Sequence, residues 1–144
     1  MDPREFIKKL EREEIAKTIK IAERGTTGEI RVFITSHEPL KIVKAAQKEF
    51  TRLGMEKTKQ RNGVLIYVAP LAREFAIVGD SGVHEKCGDT FWKAVADEIG
   101  EFFRKGDFTV GIKHGIIKAG ELLAEHFPGL PGGLNELRDD VETD

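Results

Sequence analysis

The run VLIYVAPLAREFAIV, residues 64–78, decides how this chain folds. Its first six residues are continuously apolar and lie between turn formers, the pattern of a strand buried on both faces. Pro70, Leu71 and Ala72 turn the chain, and residues 73–78 read as another strand. A connection this short joins only antiparallel neighbours, so the pair is a hairpin. Upstream, GEIRVFIT at 28–35 alternates, with Ile30, Val32 and Ile34 on one face and Glu29, Arg31 and Phe33 on the other. This is the first strand. Between it and Val64 lies a helical stripe of Ile42, Val43, Ala46, Phe50 and Leu53, and a helical crossover makes the two strands it joins parallel.

Further helices flank these strands. Phe6, Ile7, Leu10, Ile15, Ile19 and Ala22 recur at helical spacing, predicting one helix over residues 4–24 that Gly25 ends. Pro39 suits the first turn of the crossover helix and Gly54 closes it, leaving residues 55–63 as a polar loop. Residues 79–82, GDSG, read as a turn. Asp89 is placed to cap a helix burying Trp92, Val95, Ala96, Ile99 and Phe103. Asp107 begins the last helix, whose inner face is Ile112, Ile116, Ala119 and Leu122 or Leu123, with Phe127 near its end. Gly111 and Gly115 on that helix permit close backbone packing. From Pro128 onward the chain is rich in Gly, Pro and acids. The expected division is a folded domain over residues 1–128 and a flexible acidic tail over 129–144.

Composition bounds what such a domain does. At 144 residues and 40% apolar content the chain suits one compact domain with a core of ordinary depth. Cys87 is the only cysteine, so no internal disulfide forms, and a reducing compartment is expected. The first residues are charged and no apolar run reaches bilayer length, which predicts a soluble cytoplasmic protein without membrane insertion. Formal charge is 23 minus 25, or −2, so there is no basic footprint for nucleic acid.

Three polar motifs converge in this arrangement. TTGE at 26–29 opens the first strand, RNG at 61–63 opens the second and GDSG at 79–82 follows the third. Starts of parallel strands and the end of an antiparallel neighbour share one sheet edge. Asp80 and Glu29 offer hard oxygen ligands for calcium or magnesium, while Arg61, Asn62, Thr58 and Ser81, with Thr27 nearby, suit an anion or a partner.

Each residue also has a purely structural role open to it. Asp80 between glycines forms turns or caps helices. Glu29 and Arg31 can pair with neighbours on a partly wetted sheet face, and Asn62-Gly63 can supply positive φ. His84 and Cys87 lie close in sequence, but no second pair completes a zinc site. Surface or cap roles suffice for His37, His114 and His126, and core packing for Phe91, Trp92, Phe102 and Phe103. The chain has no nucleophile elbow, zincin pair or Walker loop, and Lys93 stands where a cysteine phosphatase loop from Cys87 requires Arg.

TTGEIRV, then GM followed by Thr58 and RNGVLI, then VGDSG followed by FW, resemble the TPM domain family over roughly residues 10–128. The resemblance implies an α/β fold, a Rossmann-like α/β/α sandwich. In this chain it would hold a small mixed sheet, with the first two strands parallel and a hairpin to the third. The family includes a plant thylakoid-lumen protein described as an acid phosphatase and involved in photosystem II repair, membrane-linked members, and members that bind calcium. Its motif acids correspond to Asp80 and Glu29, and its Arg-Asn pair to Arg61 and Asn62. The function expected is a metal- or partner-binding module. Its ligand is an unknown protein partner or a phosphorylated substrate. The alternative is metal-assisted phosphomonoester hydrolysis, in which an ion at Asp80 and Glu29 activates water and Arg61 stabilises the developing charge. The absence of a recognisable nucleophile ranks binding ahead of hydrolysis.

Overall fold

A computed structural model describes residues 1–88, 90–129 and 141–144. In chain order the elements are α1 (Pro3–Lys9), α2 (Arg12–Glu23), β1 (Glu29–Ile34), α3 (Ile42–Arg52), a 3₁₀ turn (Met55–Lys57), β2 (Gly63–Ala69) and β3 (Glu74–Gly79). Then follow α4 (Ser81–Cys87), α5 (Thr90–Arg104), α6 (Phe108–His126) and β4 (Val141–Thr143). The sheet order is β3-β2-β1-β4. β1 and β2 are parallel and β2 and β3 antiparallel, as the helical and tight connections require.

Every residue of β1 and β2 is buried, because helices cover both sheet faces. On one face Ile30, Val32, Ile66 and Val68 pack with Ile15 and Ile19 of α2 and with Ile112, Ile116 and Leu123 of α6. On the other, Phe33, Leu65 and Tyr67 pack with Ala46 and Phe50 of α3 and with Met55. Glu29 and Arg31 are therefore 2% and 5% exposed, against the expectation of a partly wetted face. The close-packing reading of the glycines holds. A Cβ on Gly111 would meet Phe103 at 2.9 Å, and one on Gly115 would meet Ile99 at 2.7 Å, so α6 seats directly against α5.

Several boundaries differ from the sequence reading. The single helix over 4–24 is two helices, broken where Leu10 turns extended and Glu11 N–H donates to Thr109 Oγ1 of α6 at 3.2 Å. The apolar spacing runs through the break, so periodicity alone does not reveal it. α3 begins at Ile42, three residues after Pro39, and Val43 is 54% exposed rather than part of the buried stripe. Residues 79–82 do not form a free turn, since Asp80 caps α4 at once and accepts from the Ser81 N–H at 2.7 Å. Asp89, assigned as a helix cap, lies outside the described residues.

The largest departure concerns the acidic stretch. Residues 130–140 lie outside the described residues, but 141–144 do not form part of a loose tail. Val141–Thr143 adds β4 in parallel to the outer edge of β1, with Val141 only 2% exposed. Pro128 also bridges Thr26, and Gly129 N–H donates to Gly25 O at 3.2 Å. Local composition suggested no burial because it holds few apolar groups. The partners that dock it, Arg12, Arg31 and Thr35, come from the far end of the chain.

Candidate functional site

At the edge where β1 and β2 begin, Glu29 stands in register with Gly63, and Asp80 N–H donates to Gly63 O at 2.9 Å. The topology thus brings the three polar motifs into one row. Asp80 is the centre of the observed side-chain network. Arg61 donates to it twice, Nε to Oδ2 at 2.8 Å and Nη2 to Oδ1 at 2.9 Å. Oδ1 also accepts from the Ser81 N–H. Such a fork fixes a guanidinium in direction as well as position. The Arg61 pKa is raised, first by the hydrogen bond to Asp80 and then by its charge, with a smaller contribution from Glu56.

The backbone of Arg61 is itself constrained. Its φ is 52°, a left-handed conformation uncommon for a residue with a side chain. Its N–H donates to Thr58 O at 3.3 Å, and its carbonyl accepts from Gly82 N–H at 2.9 Å. Gly82 is required by this contact, since a Cβ there would stand 2.3 Å from Gln60 O and 2.6 Å from Arg61 O. The second glycine of GDSG therefore lets α4 approach the RNG loop.

Asn62 links two threonines behind this pair. Asn62 N–H donates to Thr58 Oγ1 at 3.1 Å, and its side-chain amide donates to Thr27 Oγ1 at 3.0 Å. Asn62 is 1% exposed and Thr58 4%. The Asn62 side-chain oxygen is buried with no hydrogen-bond donor among the described residues. Of the residues read from the sequence, Asp80 and Arg61 meet directly. Ser81 joins them through its backbone, and Asn62 bonds both Thr58 and Thr27. Glu29 enters the row through its strand register.

Calcium or magnesium fits this arrangement poorly. Both Asp80 oxygens are engaged, with Arg61 already supplying the compensating cation. Among the described residues no group of three or more His, Cys, Asp or Glu side chains could hold a metal ion. His84 and Cys87 lie on α4, and burial raises the Cys87 thiol pKa, followed by repulsion from Glu125. A raised thiol is a weak nucleophile at neutral pH.

Two further features escaped the sequence reading. Glu23, 5% exposed, turns a carboxylate oxygen to the Ile30 N–H at 2.7 Å, on β1 beyond the reach of β4. A cleft of about 740 Å³ lies at the opposite end of the sheet, where Phe75, Phe103 and Phe108 face Arg73 and Arg104. Of Phe91, Trp92, Phe102 and Phe103, read from the sequence as core, only Phe103 lines that cleft.

Fold and site define a mixed α/β domain with a four-stranded sheet and an ordered polar edge. Residues 1–122 match the TPM domain family, and the chain belongs to that family. It is similar to the BA42 protein of the psychrophilic bacterium Bizionia argentinensis, known from an NMR structure. The two are 36% identical over 92% of each chain, with a TM-score of 0.86. The N-terminal domain of a P. gingivalis protein, also solved by NMR, shares the fold at 18% identity and a TM-score of 0.61, over 82% of this chain and 78% of that one. No curated protein matches the chain. Among the described residues no helix is long and apolar enough to cross a membrane.

Proposed function

We propose that this chain is a binding module whose working surface is the edge around Asp80 and Arg61, and that it takes an anionic group of a protein partner or phosphorylated molecule. The observation that carries the reading is the two-point bond from Arg61 to Asp80, in which the Arg61 side chain stays 50% exposed while Asp80 is 5% exposed. A guanidinium has five N–H donors, and Asp80 takes two. The rest remain for a carboxylate or phosphoryl group, held in the planar geometry that such groups match. A strained backbone at Arg61 and the close seat of Gly82 fit a pre-set binding geometry.

The second reading places calcium or magnesium at Asp80 and Glu29. The buried Asn62 side-chain oxygen, which has no donor among the described residues, favours it. It requires Arg61 to leave Asp80. Phosphomonoester hydrolysis would rest on the same ion, with water at the metal as nucleophile, because the raised pKa of the Cys87 thiol speaks against a cysteine route.

One titration separates these readings. With ¹⁵N-labelled protein and p-nitrophenyl phosphate, the Arg61 side-chain signal and the Ser81 and Gly82 amides should shift together, and Arg61→Gln should abolish the response. No shift at millimolar probe, or an unchanged shift in Arg61→Gln, sinks the anion reading. Calcium that raises the melting temperature of wild type but not of Asp80→Asn establishes the metal reading instead. Release of nitrophenolate that falls with Asp80→Asn and Glu29→Gln establishes hydrolysis.

A further inference from the structure

We infer that the outer edge of β1, at the opposite end from Asp80, is a binding site for an acidic peptide that adds as a parallel strand, and that residues 141–144 occupy it in cis. This inference is independent of the anion site. The register is Val32 to Val141, Phe33 to Glu142 and Ile34 to Thr143. Strand addition supplies affinity through the main chain, and pockets for particular side chains supply specificity.

Here those pockets are built. Val141 enters the apolar core at 2% exposure, and its carbonyl accepts from Arg12 Nη2 at 3.0 Å. Glu142 lies 3.7 Å from the Arg31 guanidinium. The Asp144 carboxylate accepts from the Thr35 hydroxyl at 2.6 Å and from the Ser36 N–H at 2.8 Å, with His37 at 3.7 Å. The receiving side thus offers Arg12 to a main-chain carbonyl, and Arg31, a hydroxyl and an amide to side chains, complementary to an apolar residue, an acid directly after it and an Asp two positions beyond that acid. Thr35 Oγ1 also accepts from the His37 N–H at 3.0 Å, a bond within the end of β1 that leaves the hydroxyl proton for the incoming carboxylate. β4 itself covers only Val32, Phe33 and Ile34 of the six-residue β1. A contact of three residues is short enough for another strand of the same pattern to displace.

The test uses the full chain and a fluorescein-labelled peptide with the sequence LRDDVETD, that of residues 137–144. Val141→Asp forces a charge into the core slot and expels the segment, while Glu142→Gln with Asp144→Asn weakens it more gently. A cooperative melt of each variant checks folding. Expected is peptide binding at least about tenfold tighter to Val141→Asp than to wild type, where the cis strand competes. Thr35→Val combined with Val141→Asp should remove it, as should replacing the last Asp of the peptide by Asn. The Ser36 amide should shift on binding. If Val141→Asp is folded and does not bind, or wild type binds equally well, the inference fails. A gentle variant that dimerises and excludes the peptide would overturn the partner reading in favour of a second copy.

Discussion

Two aspartates hold the two ends of this sheet, and they are held in opposite ways. Asp80, where β1 and β2 begin, grips a guanidinium that remains half exposed, so its charge is spent on aiming another group outward. Asp144, where β1 ends, accepts from a hydroxyl and a backbone amide and closes the edge with the chain's own strand. One end leaves a half-exposed guanidinium at the surface, and the other already holds a strand. A carboxylate's role therefore follows from its donors and not from its residue type.

The comparison breaks most sharply at Gly82. Gly82→Ala drives a Cβ into two backbone oxygens, and a loss of about 3 kcal/mol by urea unfolding is expected. Its NMR perturbations should stay around Arg61 and leave Ser36 untouched; disturbance of both ends would show that the edges are coupled. At the other end, Val141→Ala removes two buried methyls for about 1.5 kcal/mol, with Arg61 unmoved. A loss near zero would mean that β4 adds no stability. Next comes Asp80 as a cap of α4. Asp80→Ala should cost about 1 kcal/mol and Asp80→Asn only a few tenths, since Asn still accepts from the Ser81 N–H. Equal losses would make the charge on Arg61, not the cap, the stabilising contact.

The smallest effect is a pH dependence. Burial raises the Asp144 pKa, but the hydrogen bonds from Thr35 and Ser36 and the charge of His37 outweigh it, leaving it below the ordinary 3.8. A depressed folded pKa stabilises above the unfolded value and is lost as pH falls through the folded one. Acidification from about pH 4 downward should thus loosen β4, seen as movement of the Ser36 amide. Asp144→Asn should flatten that profile. An identical profile in Asp144→Asn would assign the transition to another carboxylate.

Much of the fold was legible because its signals are local. The apolar run from Val64 to Ala69 has the length and flanking turn residues typical of a buried strand, and the tight turn after it allowed only a hairpin. The helix between β1 and β2 made them parallel, which with the hairpin put TTGE, RNG and GDSG in one row. The break at Leu10 was not legible, because the apolar spacing continues across it and Thr109 of α6 fixes it from outside.

Sequence by itself determined the hairpin, the crossover and the common edge of the polar motifs, since spacing and connection length act between residues near in the chain. Only the tertiary structure decided which acids are spoken for. That Asp80 holds Arg61, that Glu23 serves Ile30 and that Asp144 docks on Thr35 depend on distances between segments 7 to 109 residues apart in sequence. Charge and hydrogen bonding act through space, and one sequence fixes those distances only once its core has packed.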